Sequence, residues 1–168
     1  IAVIGAGLMG HGIAQEFATA GYEVRLTSRT EESLRRGLDQ IKRNLERLVG
    51  LGVVEPRQAE EAETRIHTTP ALGDAVADAD VVVEAVYEDL SLKQRVFTEL
   101  DRTSPQRTVL ASSTSTFTAT QLATATRRPD RVLVAHYINP PYLVPLVELV
   151  PGEETSKETL AVIQGLLR

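Results

Sequence analysis

Cysteine is absent from the 168-residue chain, so disulfide scaffolds, thiolate metal centres and cysteine nucleophiles are excluded outright. Aromatic residues make up only 4%, and no basic stretch offsets a net charge of −5. Both the positive field and the stacking rings that nucleic-acid binding requires are missing, so no nucleic-acid partner is expected. No run of about 18 apolar residues occurs, and no membrane span is expected. No secretory apolar segment opens the chain either, which leaves a cytoplasmic address as the default expectation. What is present, 42% hydrophobic and 24% charged residues, describes one globular domain that buries roughly two thirds of its unfolded surface. Ile1 already lies inside an apolar run, and the helical pattern before Arg168 meets no stop signal, so further protein is expected beyond the C-terminus.

Apolar periodicity switches repeatedly between strand and helix. Ile1 to Ile4 reads as a strand, Gly5 to Gly10 as a tight turn, and Ile13, Phe17 and the alanines between them as a helix ending at Gly21. Tyr22 to Thr27 is a second strand. Thr30 then caps a long helix with Leu34, Leu38, Ile41, Leu45 and Leu48 in one stripe, ended by Gly50 and Gly52. A shorter helix from Pro56 to Glu63 and a brief strand near Ile66 follow. Val81 to Val83 suits a central parallel strand, and Leu92, Val96 and Leu100 mark the returning helix. Thr108 to Ala111 is a strand, Thr118 with Gln121 forms a capping box, and Val132 to Ala135 is another buried strand. After Pro140-Pro141, Leu143 to Val150 reads as extended, and Thr155 with Glu158 forms a second capping box before Leu160, Ile163 and Leu167. The alternation predicts an α/β fold with a doubly wound parallel sheet of the Rossmann type, carrying an inserted helical pair after the second strand. Residues 1–168 form one dinucleotide-binding domain in this reading.

Gly5-Ala6-Gly7-Leu8-Met9-Gly10 fits the dinucleotide fingerprint. In that motif the first glycine makes the turn, the second admits pyrophosphate and the third packs helix on strand. Leaving a strand and opening a helix is the context that gives such a match weight. At the end of the second strand an NAD enzyme normally offers an acid to the adenosine ribose, whereas this chain has Ser28-Arg29. A hydroxyl and a planar cation suit a 2′-phosphate, so the cofactor is expected to be NADP or NAD, with NADP slightly favoured. A solvated loop role for Arg29 is the alternative, with Glu31 or Glu32 reaching the ribose.

His136 follows a predicted parallel strand at its C-terminal end, where ligands of doubly wound sheets collect. Glu148, on the segment returning after Pro140-Pro141, is placed to hydrogen-bond one imidazole nitrogen while the other faces substrate. The hydroxyls of Ser112 to Thr116 lie on the same rim, though they also serve to cap the next helix. His11 and His67 read as structural. A Ser-His-Glu hydrolase has the right residue types but lacks the G-x-S-x-G elbow and leaves the glycine fingerprint without purpose.

Gly5 to Gln15, Val83 to Glu88 with Lys93, Ser112 to Ser115, and His136 to Pro140 with Glu148 together resemble the L-3-hydroxyacyl-CoA dehydrogenase family over nearly the whole chain. The resemblance implies oxidation or formation of a secondary alcohol, with His136 as general acid/base, Glu148 as its partner and Ser115 on the substrate hydroxyl. It puts Glu88 and Lys93 on the coenzyme; with them are counted Ala85, Val86 and Ser113, and Asn139 joins the catalytic group. Family members continue into an all-helical domain that dimerises and supplies a further asparagine, so this domain alone is expected to bind coenzyme and turn over poorly. Two departures bear on substrate. The usual Ser-Asn-Thr-Ser is Ser112-Ser113-Thr114-Ser115, and Leu51 stands where a CoA-contacting lysine is common. The Asn139 to Leu143 and Pro145 to Pro151 segments are closer to the L-gulonate dehydrogenase and lambda-crystallin branch, which takes free hydroxy acids. A 3-hydroxyacyl-CoA is the first expectation for substrate and a free 3-hydroxy acid the second; a coenzyme binder without turnover is the third.

Overall fold

The computed structural model describes all 168 residues and contains seven strands in one sheet of order β3-β2-β1-β4-β5-β6-β7. In chain order the elements are β1 (Ala2–Ile4), α1 (Gly10–Thr19), β2 (Val24–Thr27), α2 (Glu31–Gly50), α3 (Pro56–Thr64), β3 (Ile66–Thr69) and α4 (Leu72–Val76). There follow β4 (Val81–Glu84), α5 (Leu90–Thr103), β5 (Val109–Ser112), α6 (Ala119–Ala123), β6 (Val132–Tyr137), β7 (Val147–Pro151) and α7 (Lys157–Leu166). Strands β1 to β6 are parallel, and β7 alone runs antiparallel on the β6 edge. The expected doubly wound sheet and the helical pair α2–α3 after β2 are both present.

Alternation along each strand divides the core between two faces. Val3, Val81, Val83, Leu133 and Ala135 point to α1, α2, α3 and α7, whereas Ala2, Ile4, Val82, Val132 and Val134 point to α4, α5 and α6. The first face buries 24 core residues and the second 14, because the inserted pair adds Leu34, Ile41, Leu45, Leu48, Ala59 and Ala62 to one side only. Each fully buried Leu, Ile or Val contributes roughly 1.5–3 kcal/mol of transfer free energy. Strand runs without polar positions follow directly, since both faces are covered.

Local chemistry sets the ends of the helices. Thr30 caps α2 by accepting from Ser33 N–H, Asp89 caps α5 through Leu92 N–H, and Thr118 with Gln121 forms the expected capping box of α6. The second expected box is not formed. Ser156 is the N-cap of α7, accepting from Thr159 N–H, while the Thr155 hydroxyl donates to Val132 O at 2.5 Å and accepts from Gly152 N–H at 2.7 Å. A carbonyl at the start of β6 outcompetes the helix for Thr155, and Ser156, one residue later, is equally able to cap. The extended segment is also shorter than expected: Leu143 to Leu146 turn back on themselves, and only Val147 onward pairs with β6. Helix α4 was not expected; five residues are too few for periodicity to show. No helix is long and apolar enough to cross a membrane.

Candidate active site and coenzyme cleft

The C-terminal ends of β1, β2 and β4 open into a cleft of about 630 Å3, within the range of small-molecule sites. Gly5 adopts φ +105° and passes so close to the β4 exit that a side-chain carbon there would lie 2.6 Å from Ala85 O. At Gly10 such a carbon would lie 1.7 Å from Gly5 O, so α1 can spring from the turn only if this residue is glycine. Gly7 differs: nothing lies within 4 Å of the space its side chain would fill. The molecule does not use that emptiness for packing, and it sits at the N-terminus of α1, where unpaired N–H groups and the helix dipole favour an anion. Pyrophosphate fits these residues, as the fingerprint requires. Leu8 stands exposed on the wall of the cleft, and Met9 is the N-cap of α1 with its side chain packed against the core.

The far end of the cleft is lined by Thr27, Ser28 and Arg29 from the end of β2, and by Ser33, Arg36 and Gln40 from α2. Ser28 is half-buried and Arg29 exposed. Arg36 has one weak acidic neighbour, Glu32 at 3.7 Å one turn back. No carboxylate is among the residues lining this end.

Ala85 and Val86, at the β4 exit, form the opposite wall. Behind them is a buried charged cluster. Glu84, fully enclosed, accepts from Val86 N–H at 2.6 Å, from Lys93 Nζ at 2.8 Å and from the Ser112 hydroxyl at 2.5 Å. Lys93 is 1% exposed and also donates to Val86 O at 3.3 Å, with Glu88 at 3.2 Å. Neither Lys93 nor Glu88 is among the residues that line the cleft. Burial pulls the Glu88 carboxyl upward, but the hydrogen bond from Thr114 and the Lys93 charge outweigh it and hold it below the usual carboxylate range. Ser113 is fixed by its backbone, whose N–H donates to Glu84 O at 2.8 Å.

Next along the rim, the ends of β5, β6 and β7 set three side chains in a row. Ser115 Oγ lies 3.0 Å from His136 Nε2, and His136 Nδ1 lies 2.7 Å from Glu148 Oε2. The last contact comes from sheet register: His136 and Glu148 are direct partners in the antiparallel β6–β7 ladder and so share one face. A carboxylate only accepts, so Nδ1 donates to Glu148, and Nε2 is left to accept from the Ser115 hydroxyl. Asn139 is exposed just beyond β6, next to a cis bond to Pro140. The turn that follows rests on α1, where a side chain at Gly12 would meet Pro141 at 3.0 Å. The row has the residue order of a hydrolase triad, yet the N–H groups of Thr116 and Phe117, which follow the serine, both donate to Thr114 Oγ1 at 3.2 and 3.1 Å. The donor that a nucleophile elbow aims at an oxyanion is thereby occupied.

The sequence reading missed the role of Glu84 and the presence of Arg36 and Ser33 at the cleft. Glu84 carried a usable signal, because a carboxylate ending a strand buried on both faces must find a cation. The position of Arg36 depends on how α2 lies across the sheet, which no local pattern shows. His11 donates from Nδ1 to Gly7 O, 2.7 Å away within its own turn, and also lines the cleft, whereas His67 pairs with Glu23 at the surface.

Residues 1–168 match the family model described as 3-hydroxyacyl-CoA dehydrogenase, NAD binding domain. The chain is 38% identical to a 3-hydroxybutyryl-CoA dehydrogenase of Clostridioides difficile over 164 residues, 97% of this chain and 58% of that protein. A 3-hydroxybutyryl-CoA dehydrogenase of Mycobacterium tuberculosis is 43% identical over 152 residues, covering 89% and 52%. The crystal structure of (S)-3-hydroxybutyryl-CoA dehydrogenase PaaH1 from Ralstonia eutropha superposes with a TM-score of 0.95 at 32% identity, over 99% of this chain and 58% of that one. The chain thus spans little more than half the length of these relatives. With its glycine turn, its cleft and this match from end to end, the chain belongs to the NAD-binding-domain family of the 3-hydroxyacyl-CoA dehydrogenases, and its cofactor is a nicotinamide dinucleotide.

Proposed function

We propose that this chain is the coenzyme-binding half of an enzyme that interconverts an L-3-hydroxyacyl-CoA and its 3-keto form in the cytoplasm, with His136 as general acid/base. The observation that carries the reading is the Ser115–His136–Glu148 row, set on the same sheet rim as the dinucleotide cleft. The nicotinamide ring, when bound, accepts or returns the hydride. His136 Nε2 takes the hydroxyl proton, the Ser115 hydroxyl hydrogen-bonds the substrate oxygen, and Glu148 stabilises the imidazolium that forms. Asn139 stands at the same rim. Glu88, Ser113 and the Ala85-Val86 backbone face the coenzyme, and Lys93 acts there through Glu88. NADP is accepted at least as well as NAD, since Arg29 and Arg36 offer guanidinium groups where no carboxylate opposes a phosphate. An all-helical domain beyond this one completes the substrate site and pairs two copies. The exposed apolar side chains Leu143, Leu146, Val150 and Val162 on and beside β7 and α7 suit such a neighbour.

A free hydroxy acid is the second reading, favoured by Leu51, an exposed apolar residue at the end of α2 where a CoA-binding cation would stand. Steady-state profiling of the full-length protein with 3-hydroxybutyryl-CoA and L-gulonate separates them. Higher kcat/KM for the thioester supports the first reading, higher kcat/KM for the acid supports the second, and hydride transfer from neither leaves a coenzyme binder without turnover.

A further inference from the structure

Glu84 touches neither the open cleft nor the His136 row, yet it is tied to both. Its Oε1 accepts from Val86 N–H, on the cleft wall, and its Oε2 from the Ser112 hydroxyl at 2.5 Å. Ser112 is as fully enclosed as Glu84, and its Oγ in turn accepts from Thr114 N–H at 3.3 Å. Thr114 Oγ1 accepts from Thr116 N–H and Phe117 N–H and donates to Glu88. Ser115 is therefore held from both sides: by the Ser112–Thr114 bond before it and the Thr114–Thr116 bond after it. Lys93 Nζ, 2.8 Å away and equally buried, supplies the counter-charge that a carboxylate in this interior requires.

We propose that Glu84 and Ser112 are positioning residues for the reaction: the buried Glu84 carboxylate, paired with Lys93, anchors the Ser112 hydroxyl and through it the turn that sets Ser115 at 3.0 Å from His136 Nε2. The sheet puts the two residues together, since Glu84 and Ser112 are register partners on neighbouring parallel strands and share a face. Displacing a reacting group by about 1 Å costs up to about a hundredfold in rate, so a tether of this kind acts on kcat. The inference rests on the assignment of His136 and Ser115 above.

The test is a double-mutant cycle in the full-length enzyme. Ser112→Ala is expected to lower kcat about three- to tenfold while leaving coenzyme Kd unchanged, because it loosens the turn without touching the cleft wall. Combined with Ser115→Ala, it should add no further loss, since a residue acting through Ser115 has nothing left to position. Glu84→Gln should lower kcat further and, because Glu84 also holds Val86 N–H on the cleft wall, weaken coenzyme binding as well; if it fails to fold, Ser112→Ala alone carries the test. A second readout needs no turnover. The Nε2 resonance of His136 in imidazole-optimised NMR spectra should move in Ser112→Ala in the same direction as in Ser115→Ala. Full multiplication of the two kinetic losses, or an Nε2 resonance unmoved by Ser112→Ala, overturns the proposal. Absence of wild-type turnover on either substrate class would instead overturn the functional reading, while the resonance still reports on the tether.

Discussion

The glycine turn and the Ser115–His136–Glu148 row share one rim of one sheet, and they are built in opposite ways. The turn consists of backbone: Gly5 and Gly10 are where they are because a single added carbon would strike a carbonyl oxygen, whereas Gly7 has nothing within 4 Å and lines the cleft. The row consists of side chains brought from β5, β6 and β7, and its geometry depends on strand pairing across 12 to 21 residues of sequence. The turn is intolerant of a methyl group at Gly5 and Gly10. The row depends instead on its hydrogen-bonding partners and on the β6–β7 register. A one-residue slip of β7 against β6 would send Glu148 to the opposite face from His136.

The largest effect expected from this contrast is chemical. His136→Gln removes the acid/base and should lower kcat by about 10²–10⁴ with coenzyme affinity nearly unchanged. Glu148→Gln should give a smaller loss and move the pH–rate profile, since a neutral partner stabilises imidazolium less well. Near-wild-type turnover in His136→Gln would remove the residue from the mechanism. An unmoved profile in Glu148→Gln would reduce that residue to a ladder partner.

The converse holds at the turn. Gly10→Ala must push α1 off the β1 exit and should destabilise the fold at the upper end of the about 1–3 kcal/mol typical of overpacking, or beyond it. Gly7→Ala meets only open space. It should keep or slightly raise the thermal midpoint by restricting the unfolded chain, while weakening coenzyme binding because its methyl occupies the approach to the pyrophosphate. Thermal unfolding together with a coenzyme titration reads both. Similar unfolding midpoints for the two variants, or undiminished coenzyme affinity in Gly7→Ala, would erase the distinction between a packing glycine and a ligand glycine.

The same contrast governs how much the sequence discloses. The turn is written locally: glycines at fixed spacing between an apolar run and a helical stripe suffice to place it. Strand runs such as Val81 to Val83 disclose a sheet covered on both faces for the same local reason. The pairing of His136 with Glu148 is long-range, and only the Pro140-Pro141 turn between two extended segments points to it. Contacts through a third element are harder still. Glu84 meets Ser112 through parallel neighbours joined by a helix, and Arg36 reaches the cleft because α2 rests at Gly37 against Ala6 of the glycine turn. Thr155 and Ser156 show the limit at the smallest scale. Two adjacent hydroxyls can each cap α7, and a carbonyl of β6 decides between them.

Coenzyme choice is the smallest effect and the one in which charge enters the backbone-built region. NAD presents a 2′-hydroxyl, which donates to an acid at the end of β2; NADP presents a phosphate, which such an acid repels. Ser28 removes the repulsion, and Arg29 and Arg36 line the same end of the cleft from β2 and α2. A charge-assisted bond contributes about 1.5–3 kcal/mol when shielded. Both arginines are exposed, so solvent screening brings the expected discrimination down to about tenfold, or about 1.4 kcal/mol. Arg36 is free to respond to a ligand as Arg29 is, since its contact with Glu32 is long and on the surface. Arg36→Ala should therefore lower kcat/KM for NADP and leave NAD almost untouched, whereas Ser28→Asp with Arg29→Ile should reverse the preference by restoring the acid and deleting the cation. The measurement is kcat/KM for both coenzymes in wild type and in each variant, at low and at raised salt, because a preference made of exposed charges must shrink as the Debye length falls. A wild-type enzyme strongly selective for NAD, with no response to salt, would mean that Arg29 and Arg36 belong to the solvent and that the ribose is held by Ser28 or by Glu31 or Glu32 at the start of α2.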